Sequence, residues 1–507
     1  MKNFSLISTR IILVFSGLFL LLAILSGVII PPHNLLRTQM IPALIIMTAG
    51  VFLLIFLIPS FSGKRENSGE KLFRILFLIL ITVFGIAIFV LNFKYRLIKA
   101  SLQDYAVISA NAECIAKGTA LEVPDYYLIA SNNFKPTLIL ALCYKLAYLL
   151  GFSNPYVPTL LIFTAWTVVS VLITCLMIEG KNAWFYRFLL LLGFLFMLPL
   201  YIQAGSFYTD SMTFGTAIIT LFLMKKSVTA IKKDSKPVKP ILLSVCAGFI
   251  LAVGYGIKVT VLIPIIAGFM VFLFWMFTKE KANRKVLKTA LQSLAPAILA
   301  FILFSIVFES YSLTFKEYRD AKKTEEPIVG YIALGLKGNG SFVENSDFGY
   351  AERYLANKEE KAEFSKQYIK ENAHYFFEPD HILRKMNYNF SSGFLGASDF
   401  CSYPEEDGNL FYHLFDAWGN YYWRTSQYCY LYIHLLYAIL LLGAVYGVYV
   451  TTKEKKIPCN LLLGNLTFLG LFIFLMIWEA NNRQLYNQMP VLLFGAVSVI
   501  RSVRSHK

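Results

Sequence analysis

Long apolar runs recur along this chain, divided by short polar turns rich in lysine and arginine. At about 18 or more apolar residues per bilayer crossing, the runs predict twelve transmembrane helices. These lie near residues 10–30, 41–59, 72–92, 157–178, 187–204, 208–224, 240–257, 259–277, 288–308, 429–449, 458–478 and 488–503. Two longer polar stretches break the rhythm. The first, 93–156, contains a shorter apolar run, 136–151, that carries Lys145. If that run crossed the membrane it would invert the sidedness of everything after it. The pattern predicts instead a helix lying in the interface or dipping part way in. The second stretch, 309–428, is too long and too polar for a connector. It reads as a small outer domain with a helical stretch over Ala351 to Asn372 and a Gly-rich turn at Gly338-Asn339-Gly340.

The predicted fold class is an all-α polytopic membrane protein of about 12 transmembrane helices with two large outward-facing loops. Its predicted units are an N-terminal two-helix hairpin and cytoplasmic loop (1–71) and a membrane core (72–308) that carries the first loop, 93–156. An outer loop domain (309–428) and a C-terminal three-helix segment (429–507) complete it. There is no internal repeat. The N-terminal run has no small-residue cleavage site after it and is read as a retained span.

Charge decides the orientation. The 507 residues are 57% hydrophobic and only 15% charged, with a formal net charge of +16. With the N-terminus inside, the inside segments hold 25 basic residues against six acids. The positive-inside rule therefore predicts a cell-membrane, multi-pass protein with both termini cytoplasmic. Because the basic residues cluster between spans, the lipid bilayer is the expected partner and no nucleic acid is. Seven cysteines are scattered without a CxxC or a Cys/His cluster. Cys401 and Cys429 both fall on the outward side, where a disulfide is one option. No metal and no cofactor are predicted, and there is no GxxxxGK[ST] or strand-embedded GxGxxG signature.

The residues that could carry chemistry gather at outer helix ends. Asp104 follows the third span. It suits a general base, and equally Ser101-Leu102-Gln103-Asp104 reads as a capping box opening a helix 102–117 that Gly118 closes. Glu113, nine residues on, is half a helical revolution away, and Glu122 and Asp125 in the next loop could fold back as a second acid. Tyr208 and Asp210 mark another outer turn, where Asp210 is either functional or a helix cap. Lys258 could hold an anionic headgroup or simply snorkel. Glu479 and Arg483 are spaced to pair on a helix, and Arg483 is the best single candidate for a bidentate phosphate contact.

These motifs, in this order and on this side, resemble the GT-C superfamily of integral membrane glycosyltransferases. The likeness is to bacterial proteins similar to protein O-mannosyltransferases, which use polyprenyl-phosphate sugars. Asp104 in Leu102-Gln103-Asp104-Tyr105 resembles that family's first-loop catalytic acid, and Ser131-Asn132-Asn133-Phe134-Lys135-Pro136 its juxtamembrane stretch. Tyr208-Thr209-Asp210, Lys258, Ala333-Leu334-Gly335-Leu336 and Glu479 to Tyr486 sit where relatives carry similar motifs. Two extra spans precede the usual first one, and Asp104 has no adjacent acid. The resemblance implies inverting, metal-independent transfer of a sugar from a polyprenyl-phosphate donor on the outer face. The acceptor would be an envelope glycan, a teichoic-type polymer or a protein. Asp104 would be the base, and Lys258 or Arg483 would hold the leaving phosphate. A flippase, transporter or polymerase for lipid-linked saccharides is the alternative. A transporter should show broken helices, whereas these spans read as nearly clean.

Overall fold

The computed structural model describes residues 2–30, 66–95, 104–233, 236–278, 284–400 and 409–505. The predicted span 41–59, the Ser101 end of the capping box and Cys401 lie outside the described residues. Among those described, the regular structure is helical, with no strand.

Nine helices among the described residues are long and apolar enough to cross a membrane: Lys2–Ile29, Gly69–Lys94, Tyr156–Leu176, Thr209–Lys232, Val238–Ile257, Val259–Thr278, Leu287–Ser312, Tyr422–Lys453 and Cys459–Ile477. Each answers to one predicted run. Two further predicted runs are helices too short to count among the nine. The last is the 17-residue helix Met489–Ser505. The run predicted as one span over 187–204 is two pieces, Ala183–Leu195 and Leu198–Gln203, with Pro199 at the start of the second. Proline has no N–H to continue the first helix and disfavours a helical residue before it, so the chain breaks there.

Small residues set how closely the helices approach. Cys459–Ile477 and Met489–Ser505 cross where Gly464 faces Gly495; a methyl group on Gly495 would stand 2.8 Å from Gly464 Cα. Such contacts favour helix association where lipid removes the hydrophobic drive. The hydroxyls of Ser227, Ser244 and Ser293 tie three helices together, with oxygen separations of 2.8–3.4 Å. Outside the packed faces, Leu291, Ile298, Leu299, Ile302, Leu303 and Ile306 form an exposed apolar row along one helix. That surface suits lipid better than water.

The run 136–151 is the helix Phe134–Leu149, too short to count among the nine. It buries Leu138, Ala141 and Tyr144 and exposes Leu142, Leu146 and Leu149. The stretch 309–428 is ordered over most of its described length as several short helices. These include Ile328–Leu334, Ser346–Arg353, Lys358–Asn372 and Pro379–Phe390. Its position over one end of the bundle makes the site described next.

Candidate functional site

At that end the start of the helix Asp104–Lys117, the segment 126–133 and three interhelical turns meet the helices of the 309–428 segment. Together they line a cavity of about 720 Å³. Asp104, Asn133, Tyr208, Lys258, Glu479 and Arg483 all line it.

Backbone geometry explains how Tyr208 and Asp210 come to be there. The apolar span opens with a short helix, Thr209–Thr213, and resumes as Thr216–Lys232. Gly215 between them has φ 77° and Phe207 just before has φ 47°. Both are left-handed positions, costly for phenylalanine and natural for glycine. Ser170 Oγ donates to the freed carbonyl of Phe214 at 3.1 Å. The five-residue helix is thus offset from the rest of its span and presents Tyr208 to the cavity.

Tyr208 joins the two chemically distinct groups. Its hydroxyl donates to Asp104 Oδ2 at 3.1 Å, and the Arg483 guanidinium lies 5.3 Å from its ring centroid. Burial first, and then the charge of Asp104, hold the Tyr208 hydroxyl well above its ordinary pKa. It therefore stays a donor to the carboxylate. Asp104 itself is exposed at the first turn of its helix, where the helix dipole favours a negative charge. The helix ends at Lys117, followed by Gly118 at φ 70°, as the closing-glycine expectation has it.

Lys258 sits in extended conformation between Val238–Ile257 and the turn Val259–Val261. It reaches Asp210, which is fully buried. A lysine and an acid at this depth stabilise each other's charge, and neither would be left alone cheaply. The Lys258 turn is anchored by Thr260, whose hydroxyl donates to Gln484 Oε1 at 3.0 Å, and by Gln488 Nε2, which donates to Thr260 O at 3.0 Å.

Arg483 does not share a helix turn with Glu479, as the four-residue spacing predicts. The span ends at Trp478, and a separate 3-10 turn runs Asn482–Gln488. Arg483 Nε instead lies 3.3 Å from Asn481 Oδ1 and 3.4 Å from Asp399 Oδ2. Both contacts use Nε and leave the two terminal nitrogens open to a ligand. Burial opposes the charge on Arg483, but Tyr208, Asp399, Asp210 and Asp104 outweigh it and hold its pKa above the usual value. Burial raises Glu479 and Asp399, with Arg483 opposing both shifts. Asn133 is buried, and its Oδ1 has no hydrogen-bond partner.

The candidate second acids do not join Asp104. Glu113 pairs with Lys117 at 2.6 Å and accepts from Tyr148 at 2.9 Å, on another side of the helix. Glu122 and Asp125 are exposed and do not line the cavity. The acids near Arg483 are Asp210 and Asp399 instead. Of the Cys401–Cys429 pairing only Cys429 is described, and it is buried.

Several groups escape a reading of the sequence. Lys385 is fully buried and donates to Gly335 O at 2.6 Å, within the Ala333–Leu336 motif. Burial lowers it to about 7, with Glu479 opposing. The neighbouring backbone joins the turn to the 309–428 segment: Ala480 N donates to Gly340 O at 2.7 Å and Asn481 N to Asn389 Oδ1 at 2.9 Å. Glu326, Glu352, Arg353 and Tyr331 also line the cavity. Glu325-Glu326 and Glu352-Arg353 look like ordinary solvated charges in sequence, so no periodic signal marks them. Among the described residues no group of three or more His, Cys, Asp or Glu could hold a metal ion.

Residues 3–503 match the model of a family described as conserved hypothetical integral membrane protein. The chain belongs to that family. It is a multi-span, all-helical integral membrane protein. No curated protein and no solved structure matches the chain.

Proposed function

We propose that this family member is a membrane glycosyltransferase that takes a sugar from a polyprenyl-phosphate donor. The observation that carries the reading is the Asp104–Tyr208–Arg483 arrangement. It sets an exposed carboxylate and an anion-binding guanidinium on one tyrosine, in one cavity at the ends of the spans. An acceptor hydroxyl would lose its proton to Asp104 as its oxygen bonds to the anomeric carbon of the sugar. The bond from that carbon to the phosphate oxygen breaks, and the electron pair leaves with the lipid phosphate. Arg483 and Lys258 would hold the phosphate as its charge develops. Tyr208 would keep Asp104 oriented. The basic bias of the turns at the other end of the bundle supports an outer-face location for the cavity.

A second reading, a flippase or transporter for a lipid-linked saccharide, is favoured by the interruptions at Pro199 and Gly215. Broken helices near a binding site are a feature of transporters. One experiment separates the two. Purified wild type and Asp104→Asn are incubated with a panel of undecaprenyl-phosphate sugars, and transfer or hydrolysis of labelled sugar is measured. Turnover by wild type but not by the variant supports the transferase. Movement of the labelled lipid between vesicle leaflets without turnover supports the flippase.

A further inference from the structure

Another part of the same cavity lining is built differently. Glu326 and Glu352 lie side by side there, and Gly330 makes the approach possible. A methyl at Gly330 would overlap Glu326 and stand 2.8 Å from Glu352 Oε1. Ser365 Oγ donates to Glu352 Oε1 at 2.5 Å and holds that side chain in place. Glu326 Oε1 is buried and has no hydrogen-bond partner. Burial first, and then Glu352, push Glu326 up to about 9. At neutral pH Glu326 is therefore a neutral carboxyl, able to donate through its hydroxyl and to accept through its other oxygen.

Flat aromatic surface lies beside it. The Tyr331 and Trp478 rings are stacked at 4.9 Å and 12°, and Trp478 also stacks with Phe474 at 5.1 Å. All three rings line the cavity, and so does Arg353. An unpartnered carboxyl oxygen, a fixed carboxylate and a ring stack fit a ligand with many hydroxyls and a flat C–H face. They do not form the apolar side-chain pocket that a peptide would seek.

We infer that this part of the cavity is a saccharide-binding subsite, in which Glu326 and Glu352 take sugar hydroxyls and Tyr331 lends a ring face. The inference rests on the glycosyl-transfer reading and assigns these residues to the acceptor, leaving Lys258 and Arg483 to the donor phosphate. The cavity of about 720 Å³ falls within the roughly 300–1,000 Å³ of small-molecule sites.

The test uses the full chain in detergent. Chitotetraose, mannotetraose and maltotetraose are titrated by saturation-transfer NMR, with a Ser/Thr-rich peptide alongside and undecaprenyl phosphate binding measured separately. We expect at least one tetrasaccharide to bind wild type. Glu326→Ala and Tyr331→Ala should each weaken it by roughly ten-fold or more, with lipid-phosphate binding unchanged. That unchanged binding shows that the variants are folded. Equal saccharide binding by both variants, binding of the peptide alone, or no saccharide binding by a protein that still binds undecaprenyl phosphate would each overturn the inference and leave the lipid-phosphate reading standing. Loss of lipid-phosphate binding in wild type itself would remove the reading on which it rests.

Discussion

The two parts of the cavity lining solve opposite electrostatic problems. In one, opposite charges are interleaved: Lys258 on Asp210, and Arg483 among Asp399, Asp210 and Asp104. In the other, like charges are pressed together at Glu326 and Glu352. The first arrangement sets each buried charge beside one of opposite sign and holds the Arg483 pKa above its usual value. The second keeps a carboxyl protonated at neutral pH. On the proposed reading, the Arg483 side of the site would take an anionic headgroup and the neutral Glu326 carboxyl a polyol.

That contrast is most exposed to refutation at Asp104. On the proposed reading, Asp104→Asn lowers the transfer rate by about 10²–10⁴-fold, while detergent-solubilised protein keeps the wild-type elution profile. Normal turnover would end the base assignment. Next in size is the buried pair. Lys258→Ala leaves Asp210 buried and unpaired and should cost about 3–5 kcal/mol. The double variant Lys258→Ala/Asp210→Ala should recover part of it in a denaturation series. Additive losses would show that the pair is not coupled.

Arg483→Ala comes third. It should weaken undecaprenyl-phosphate binding by roughly 10- to 100-fold, as expected for a charge-assisted contact, and leave saccharide binding nearly unchanged. Equal loss of both ligands would erase the division between the two parts. Tyr208→Phe keeps the ring under Arg483 and removes only the hydrogen bond to Asp104. We expect a fall of about ten-fold in turnover with lipid-phosphate binding intact.

The smallest effect concerns the joint between the two parts. Burial lowers Lys385 from 10.5 to about 7. Below about 7 the folded state carries a buried ammonium at a cost, and that cost relaxes as pH rises toward the unfolded value. Stability contributed by this group therefore increases between pH 7 and 9. The Tm of wild type should rise across that range by on the order of 2–4 °C more than that of Lys385→Met. Parallel curves would show that Lys385 does not titrate there.

Much of the molecule is legible in its pattern. Among the described residues, nine of the eleven predicted runs found there are helices of membrane-crossing length and apolarity, because apolar run length is a local property that the bilayer reads directly. The failures are local as well. Pro199 sits inside an apolar run and is outweighed by hydropathy, although its missing N–H divides the helix. Gly215 is hidden for the same reason. At the site, the groups on interhelical turns (Tyr208, Lys258, Arg483) are legible because a polar residue at the end of an apolar run stands out against its neighbours. Glu326, Glu352 and Lys385 are not, because charges in a polar stretch are ordinary. Glu113, Glu122 and Asp125 are suggested by proximity in sequence alone, and the helix Asp104–Lys117 and its following loop carry them away from Asp104.

Residue order suffices to make this chain a bundle of apolar helices with two polar segments, because hydropathy and helix period are summed over neighbours along the chain. Which carboxylates meet which cations is settled at the level of the folded bundle. Asp104 and Tyr208 are 104 residues apart, and Asp210 and Lys258 are 48 apart. Such pairings arise from how helices cross and where turns reverse. Coulomb energy depends on the resulting distances and on exclusion of water, neither of which is written in the order of residues.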